Sequence, residues 1–258
     1  MITFSIITVV RNDLNGITNT YNSLKNQLYS NYEWVVIDGN SSDGTKEFLQ
    51  NLDCIFLNYI SESDKGIYDA MNKGIIICKN MYILFLNAGD IFFDSNTLNI
   101  VQNKLQENKV DVLFGGVNMY FSHKYFYYKN PQEIDKVINF SLPGHHQSTY
   151  YSNNILKKIN YDINFPDSGD YFLIVKMYKF GISTVLLDQP LSIFYVGHTS
   201  FKRIFQILFA SSKIQTIYLK LSIFKILYSF FKRLLSSFIV ILIYNFPFIL
   251  CLKKNNKV

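Results

Sequence analysis

Val35-Val36-Ile37-Asp38-Gly39-Asn40-Ser41-Ser42-Asp43-Gly44-Thr45 runs from a β-branched apolar stretch into an acidic, glycine-bearing loop. Glu33 to Asp38 reads as a buried strand and Gly44 to Leu52 as a short helix. The same order repeats on either side. Thr3 to Val10 is another β-branched run, followed by a helical stripe of Ile17, Tyr21, Leu24 and Leu28. Downstream, Cys54 to Ser61 reads as a strand, Ile67 to Cys78 as a helix and Met81 to Leu86 as a buried strand. Strands separated by helix-length segments predict parallel βαβ units with right-handed crossovers, and so an α/β fold. In such a sheet ligands bind beyond the carboxyl ends of the strands. Four predicted strands end there in polar loops, at Arg11-Asn12, Asp38, Glu62-Ser63-Asp64 and Asn87-Ala88-Gly89-Asp90. The carboxylates of Asp38, Asp64 and Asp90, converging on one crevice, suit a metal and a nucleotide.

After Asp90 the pattern changes. Leu98, Val101 and Leu105 form a helical stripe, Val110 to Gly115 reads as a strand, and Val117 to Tyr128 is aromatic and alternating. That predicts a mixed or antiparallel extension of the sheet. Asp170 to Phe180 reads as a helix closed by Gly181, and Thr184 to Leu187 as a further strand. From about Phe201 the chain reads as helices only. The expected organisation is therefore an α/β domain with a mixed central sheet over residues 1–200 and a helical tail over 201–258.

A chain of 258 residues suits one domain with an appendage. Cys54, Cys78 and Cys251 are far apart and have no CxxC spacing, so neither a disulfide framework nor a zinc site is indicated. Met1-Ile2-Thr3-Phe4 enters an apolar strand without the features of a secretory signal, which predicts a cytoplasmic location. The net charge of +6 divides sharply: residues up to Asp188 hold 15 basic and 19 acidic residues, whereas ten basic and no acidic residues follow. A basic tail rich in Phe, Ile and Leu suggests an anionic membrane surface as partner and argues against nucleic acid. Leu234 to Leu252 is 19 residues without a charge, near the roughly 20 needed to span a bilayer. Asn245 and Pro247 interrupt it and basic residues flank both ends, so an interfacial or re-entrant arrangement on the cytoplasmic face is expected instead of a span.

Phe4-Ser5-Ile6-Ile7-Thr8-Val9-Val10-Arg11-Asn12 and Val35 to Thr45 together resemble the family 2 glycosyltransferases. The resemblance continues through Ser63-Asp64-Lys65-Gly66-Ile67-Tyr68-Asp69-Ala70-Met71-Asn72-Lys73-Gly74 and Leu86-Asn87-Ala88-Gly89-Asp90. It covers about the first 200 residues, and four motifs in series carry it. The resemblance implies a GT-A-type nucleotide-sugar-binding domain. It also implies an inverting transfer of sugar from a nucleotide-diphosphate donor to a glycan or polyprenyl-lipid-linked acceptor, in the synthesis of cell-surface polysaccharide or lipopolysaccharide.

Further roles follow from the resemblance residue by residue. Asp38 lies where the family reads the base; a carboxylate accepts the imide N–H of uracil or thymine, which favours a UDP- or dTDP-sugar. Asp43 reads instead as a helix cap. Asp64 is both a base contact and a cap candidate, with Lys65, Thr8, Arg11 and Asn87 as further donor-site residues. Asp90 is the last and only carboxylate of its triplet and the expected ligand of Mg²⁺ or Mn²⁺, a metal that commonly takes only one or two carboxylates. His198 is a second metal candidate. Leu142-Pro143-Gly144-His145-His146-Gln147-Ser148 is similar to a family His-Gln element, in which His146 and Gln147 orient phosphates or acceptor. Asp170 opens a helix in Phe165-Pro166-Asp167-Ser168-Gly169-Asp170, where the family carries the base that takes the acceptor proton, with Asp167 as its rival. No GxGxxG follows the first strand, against a dinucleotide oxidoreductase, and the phosphate loop of a sugar nucleotidyltransferase is absent. The incomplete triplet leaves a second reading, a catalytically degenerate nucleotide-sugar-binding membrane scaffold.

Overall fold

The computed structural model describes residues 1–122, 125–197 and 200–247. In chain order the first half runs β1 (Phe4–Val10), α1 (Leu14–Lys25), β2 (Tyr32–Asp38), α2 (Thr45–Asn51), β3 (Leu57–Ser61), α3 (Ile67–Ile77), β4 (Tyr82–Phe85), β5 (Ile91–Phe92) and α4 (Thr97–Asn108). The second half runs β6 (Val112–Tyr120), β7 (Phe126–Lys129), α5 (Ile134–Val137), β8 (Thr149–Ser152), α6 (Asn153–Lys158), α7 (Gly169–Phe180) and β9 (Thr184–Tyr195). The tail forms α8 (Phe201–Ile217) and α9 (Ile223–Asn245).

Strands β3, β2, β1 and β4 are parallel neighbours in that order. Beyond β4 the sheet turns mixed: β8 is antiparallel to both β4 and β6, β9 is parallel to β6, and β5 and β7 pair antiparallel with β9 and β6. The expected α/β fold with a mixed sheet is the one observed. The parallel strands bury both faces, as βαβ connections require. On β1, Ile7 and Val9 join Val35, Ile37, Ile83 and Phe85 beneath α3, α6 and α7. Phe4 and Ile6 alternate to the other face with Trp34, Val36 and Leu84, beneath α1, α2 and α4.

Several boundaries depart from the sequence pattern. Leu28 is 70 % exposed and lies beyond α1, because Asn26 caps that helix. Strand β3 begins only at Leu57, since Cys54 takes part in a turn that Leu57 N–H closes. The expected strand from Thr184 extends to Tyr195 and passes through Pro190. The register with β6 slips between Gly115 and Val117, and at that bulge a residue without an N–H is tolerated.

Both tail helices touch the body of the protein. Helix α8 buries Ile204, Leu208 and Ile214, and its Ser211 hydroxyl lies 3.1 Å from that of Ser168, the N-cap of α7. Gln215 donates to Asn139 O at 3.0 Å and to Ser229 Oγ of α9 at 2.8 Å. Helix α9 is long and apolar enough to cross a membrane, yet its apolar side chains are mostly exposed, among them Phe224, Tyr228, Phe231 and Leu235.

Candidate active site

Register brings the loops together. Val10 pairs with Asp38 and Asp38 with Ser61, so β1, β2 and β3 end level. The ladder continues past β4 through Leu86 N–H to Ile7 O at 2.9 Å and Ala88 N–H to Val9 O at 3.2 Å. Asn87 to Asp90 therefore lies along the same edge, at the carboxyl ends of the parallel strands. Thr20 of α1 holds this loop from behind: its hydroxyl accepts Gly89 N–H at 3.1 Å and lies 2.9 Å from the Asp90 carbonyl oxygen.

At the β1–β3 end, Asp38 is fully buried, and both its oxygens are engaged. It accepts the Ser41 hydroxyl at 2.5 Å, the Ser61 hydroxyl at 2.6 Å and the Ser41 N–H at 3.2 Å. This geometry makes Asp38 a tie between two loops, and a base would reach it only by displacing a serine hydroxyl. Thr8 is also enclosed: it donates to Leu86 O at 2.7 Å and accepts Trp34 Nε1–H at 2.9 Å. Its side chain lies on the face of β1 that packs beneath α1, away from the accessible groups of the loops.

Asp64, Arg11 and Lys65 are the accessible groups here. A Cβ on Gly39 would lie 2.6 Å from Asp64 Oδ2 and 3.3 Å from Arg11 Cβ, so glycine alone lets these side chains meet over the β2 loop. Asp64 Oδ1 accepts Gly66 N–H at 2.8 Å in a turn ahead of α3 and does not cap that helix, whose N-cap Gly66 carries no side-chain bond. Asp43 does serve helix starts: Oδ1 accepts Thr45 N–H at 3.1 Å and Oδ2 accepts Leu14 N–H at 3.0 Å.

The second cluster gathers residues far apart in sequence. His146 stands between Asn87, whose amide nitrogen is 3.2 Å from its Nε2, and Asp170, whose Oδ2 is 3.4 Å from its Nδ1. Asp90 accepts Asn87 N–H at 3.2 Å and the Gln147 side-chain amide at 3.4 Å. Asp170, in the first turn of α7, also accepts the Tyr161 hydroxyl at 3.0 Å and the Tyr68 hydroxyl at 3.4 Å. Asp167 instead pairs with Arg203 of α8. His198 lies outside the described residues.

The electrostatics are those of a buried carboxylate, Asp90, beside a half-buried imidazole and a second, half-buried carboxylate. Burial pushes Asp90 up to about 6, although His146, Gln147 and the Asn87 N–H partly offset it. Burial also opposes a charged His146, but Asp170 and then Asp90 outweigh it and hold the ring above its ordinary pKa. Burial works to raise Asp170, yet the His146 charge and the hydrogen bonds from His146, Tyr161 and Tyr68 keep it below the usual carboxylate value.

Among the described residues no group of three or more His, Cys, Asp or Glu side chains is placed to hold a metal. The donor chemistry nevertheless fits a hard cation that relies on few protein ligands. Beside Asp90, the buried oxygens Asn87 Oδ1 and Gln147 Oε1 accept no hydrogen bond, and such orphaned oxygens are what a divalent cation would satisfy. Tyr68 and Tyr161 were not foreseen as site residues. Tyr68 sits inside the quoted Gly66 to Gly74 motif, whereas nothing around Tyr161 marks it.

A doubly covered parallel sheet whose carboxyl edge gathers acidic loops, joined to a mixed extension that supplies a half-buried histidine and carboxylate, is the arrangement of a glycosyltransferase domain. Residues 5–182 match glycosyl transferase family 2, and the chain belongs to that family. An uncharacterized glycosyltransferase of Mycobacterium tuberculosis is 29% identical over 178 residues, 67% of this chain and 68% of that protein. The E. coli UDP-Glc:alpha-D-GlcNAc-diphosphoundecaprenol beta-1,3-glucosyltransferase WfaP is 25% identical over 227 residues, 84% of this chain and 87% of its own. The fold is also that of S. aureus TarS 1-349 in complex with UDP-GlcNAc, with a TM-score of 0.67, 18% identity, and 91% of this chain and 73% of that chain covered. The mannosyltransferase PcManGT of Pyrobaculum calidifontis, in complex with GDP-Man and Mn2+, matches with a TM-score of 0.66 at 14% identity, over 86% of this chain and 65% of that chain.

Proposed function

We propose that this glycosyltransferase moves a hexose-type sugar from a UDP- or dTDP-sugar to a hydroxyl of a glycan or polyprenyl-lipid-linked acceptor, with inversion, in cell-surface polysaccharide synthesis. The observation that carries this is the line from buried Asp90 through His146 to Asp170, the last two half-buried and open to a substrate, at the loop edge where nucleotide-sugar folds bind donor. Asp64 and Arg11, accessible above Gly39, are the candidates for base and diphosphate contacts, with Asp38 keeping their loops in register.

Asp90, with Asn87 and Gln147, would hold a Mg²⁺ or Mn²⁺ ion, whose chemistry is to offset charge on the departing nucleoside diphosphate. Asp170 is the base. Its contacts to Tyr68 and His146, both at 3.4 Å, are the long ones, so an acceptor hydroxyl can take the place of either. The depressed pKa makes Asp170 a weak base by itself; exchanging one of those donors for the acceptor raises its proton affinity as transfer proceeds. The carboxylates of Asp170 and Asp90 favour the protonated form of His146, which would stabilise the negative charge that gathers between donor and acceptor.

The WfaP name supports a UDP-sugar and a diphospholipid-linked acceptor, and the tail supports a location on the cytoplasmic face of the membrane. The test is a panel of UDP-, dTDP- and GDP-sugars, with and without Mn²⁺ and chelator, read as donor hydrolysis and thermal stabilisation. One UDP- or dTDP-sugar turned over only with metal, and Asp170→Asn binding it while losing about 10²–10⁴ in rate, is the expected result. Binding without turnover in the unmodified chain would favour the scaffold reading.

A further inference from the structure

We propose that a groove on the outer side of α1 is a second carbohydrate site, which holds a neutral oligosaccharide away from the reacting end. The groove, of about 840 Å³, is in the range of ligand-sized cavities. It runs between α1 and the segment from Gly89 to Ser95 and is closed by Tyr195. Asn15, Asn19, Asn22 and Asn26 recur at spacings of four, three and four, which puts them in one line along about 16 Å of helix.

These four amides are exposed and bond to nothing within the protein. Asn72 bonds Tyr161, Asn108 bonds Lys104 O, and Asn153 bonds Cys78 O and Asn80 O, and the exposed unbonded asparagines on other described helices, Asn51, Asn103 and Asn154, stand one to a helix and not in a line. Helices α2 and α3 carry charged side chains, exposed Glu47 with half-buried Lys46 on α2 and half-buried Asp69 and Lys73 on α3. Asparagine is a poor helix former, so an uncharged amide line is not what α1 would adopt for its own stability.

An amide offers donor and acceptor together, the match for vicinal sugar hydroxyls. Phe93 and Tyr195 present rings at 37% and 49% exposure across the groove, surfaces on which the apolar face of a sugar rests. The charged groups lining it, Asp13 and Asp94, are acidic, which disfavours a phosphate or nucleotide and favours a neutral glycan. The groove lies on the α1 side of the Asn87–Asp90 loop, whereas His146 and Asp170 lie toward α3 and α7. An occupant therefore does not compete with donor for Asp90. The identity of the glycan, as acceptor or product chain, rests on the transferase reading above; the groove itself does not.

The experiment uses the full chain and saturation-transfer NMR with a panel of neutral hexasaccharides, cellohexaose, maltohexaose and N,N-acetylated chitohexaose. At least one is expected to bind saturably, to weaken tenfold or more in Asn19→Ala/Asn22→Ala and separately in Tyr195→Ala, and to leave stabilisation by UDP unchanged. No binding by any of the three, or binding that survives both variants, overturns the proposal. Loss of UDP stabilisation in Asn19→Ala/Asn22→Ala overturns it as well, since the groove would then belong to the donor site. Hexasaccharide binding by a chain that turns over no nucleotide sugar would uphold the groove and defeat the transferase reading instead.

Discussion

Asp90 is kept ionised at neutral pH in a place that resists charge, and the resistance is measurable. Its pKa of about 6 exceeds the unfolded value, so the folded state binds the extra proton between roughly pH 4 and 6, and stability falls as pH rises through that window. Asp90→Asn should therefore stabilise the protein by about 1–3 kcal/mol at pH 7 while abolishing transfer. In urea titrations the gain should vanish near pH 4, where Asp90 is neutral in both states. His146 gives a slope of the same sign, for a different reason: neighbouring carboxylates favour its proton, whereas burial favours that of Asp90. The raised pKa of His146 means that the stability it contributes is complete below its unfolded value and is lost as pH rises through the folded one. In ¹H–¹³C spectra the His146 titration should move to lower pH in Asp170→Asn, since the largest charge that opposes burial is removed.

Helix α7 depends on a close approach that one missing side chain permits. A Cβ at Gly169 would lie 2.4 Å from the Tyr68 ring, which stacks on Tyr161 at 4.8 Å and cannot swing aside freely. Gly169→Ala should destabilise the fold by about 1–3 kcal/mol and slow transfer, because it separates the tyrosine hydroxyls from Asp170. Tyr68→Phe removes the hydroxyl without the clash, and its stability in the same denaturation assay should fall by only about 1 kcal/mol. Helix α8 adds to this: its Ser211 and Arg203 hold Ser168 and Asp167, the two residues just before Gly169. The helix that carries the proposed base is thus fastened by α3 on one side and by the tail on the other.

The proposed membrane contact rests on the tail. The outer surface of α9 and the exposed Phe201, Phe205 and Phe209 of α8 form an apolar face accompanied by Lys202, Lys213, Lys225 and Lys232, the composition of an interfacial anchor. Flotation with vesicles should show binding to anionic phosphatidylglycerol surfaces that weakens with salt, and Phe231→Asp/Leu235→Asp should abolish it while donor hydrolysis in solution persists. Equal binding by that variant would remove the anchoring role.

Val35 to Thr45 and its three companion motifs were enough to read the α/β alternation and to place Asp38, Asp64 and Asp90 at strand ends. Period-two burial and turn residues are local properties, visible in a single segment. They could not show that Asp38 and Thr8 spend their oxygens on Ser41, Ser61, Trp34 and Leu86, since hydrogen bonds between strands depend on register. Nor could they find Tyr161, the antiparallel β8 between β4 and β6, or the meeting of His146 with Asp170. Those groups come from segments with no shared period or spacing. Their proximity, and the pKa shifts that follow from it, exist only once the mixed half of the sheet has closed against the parallel half.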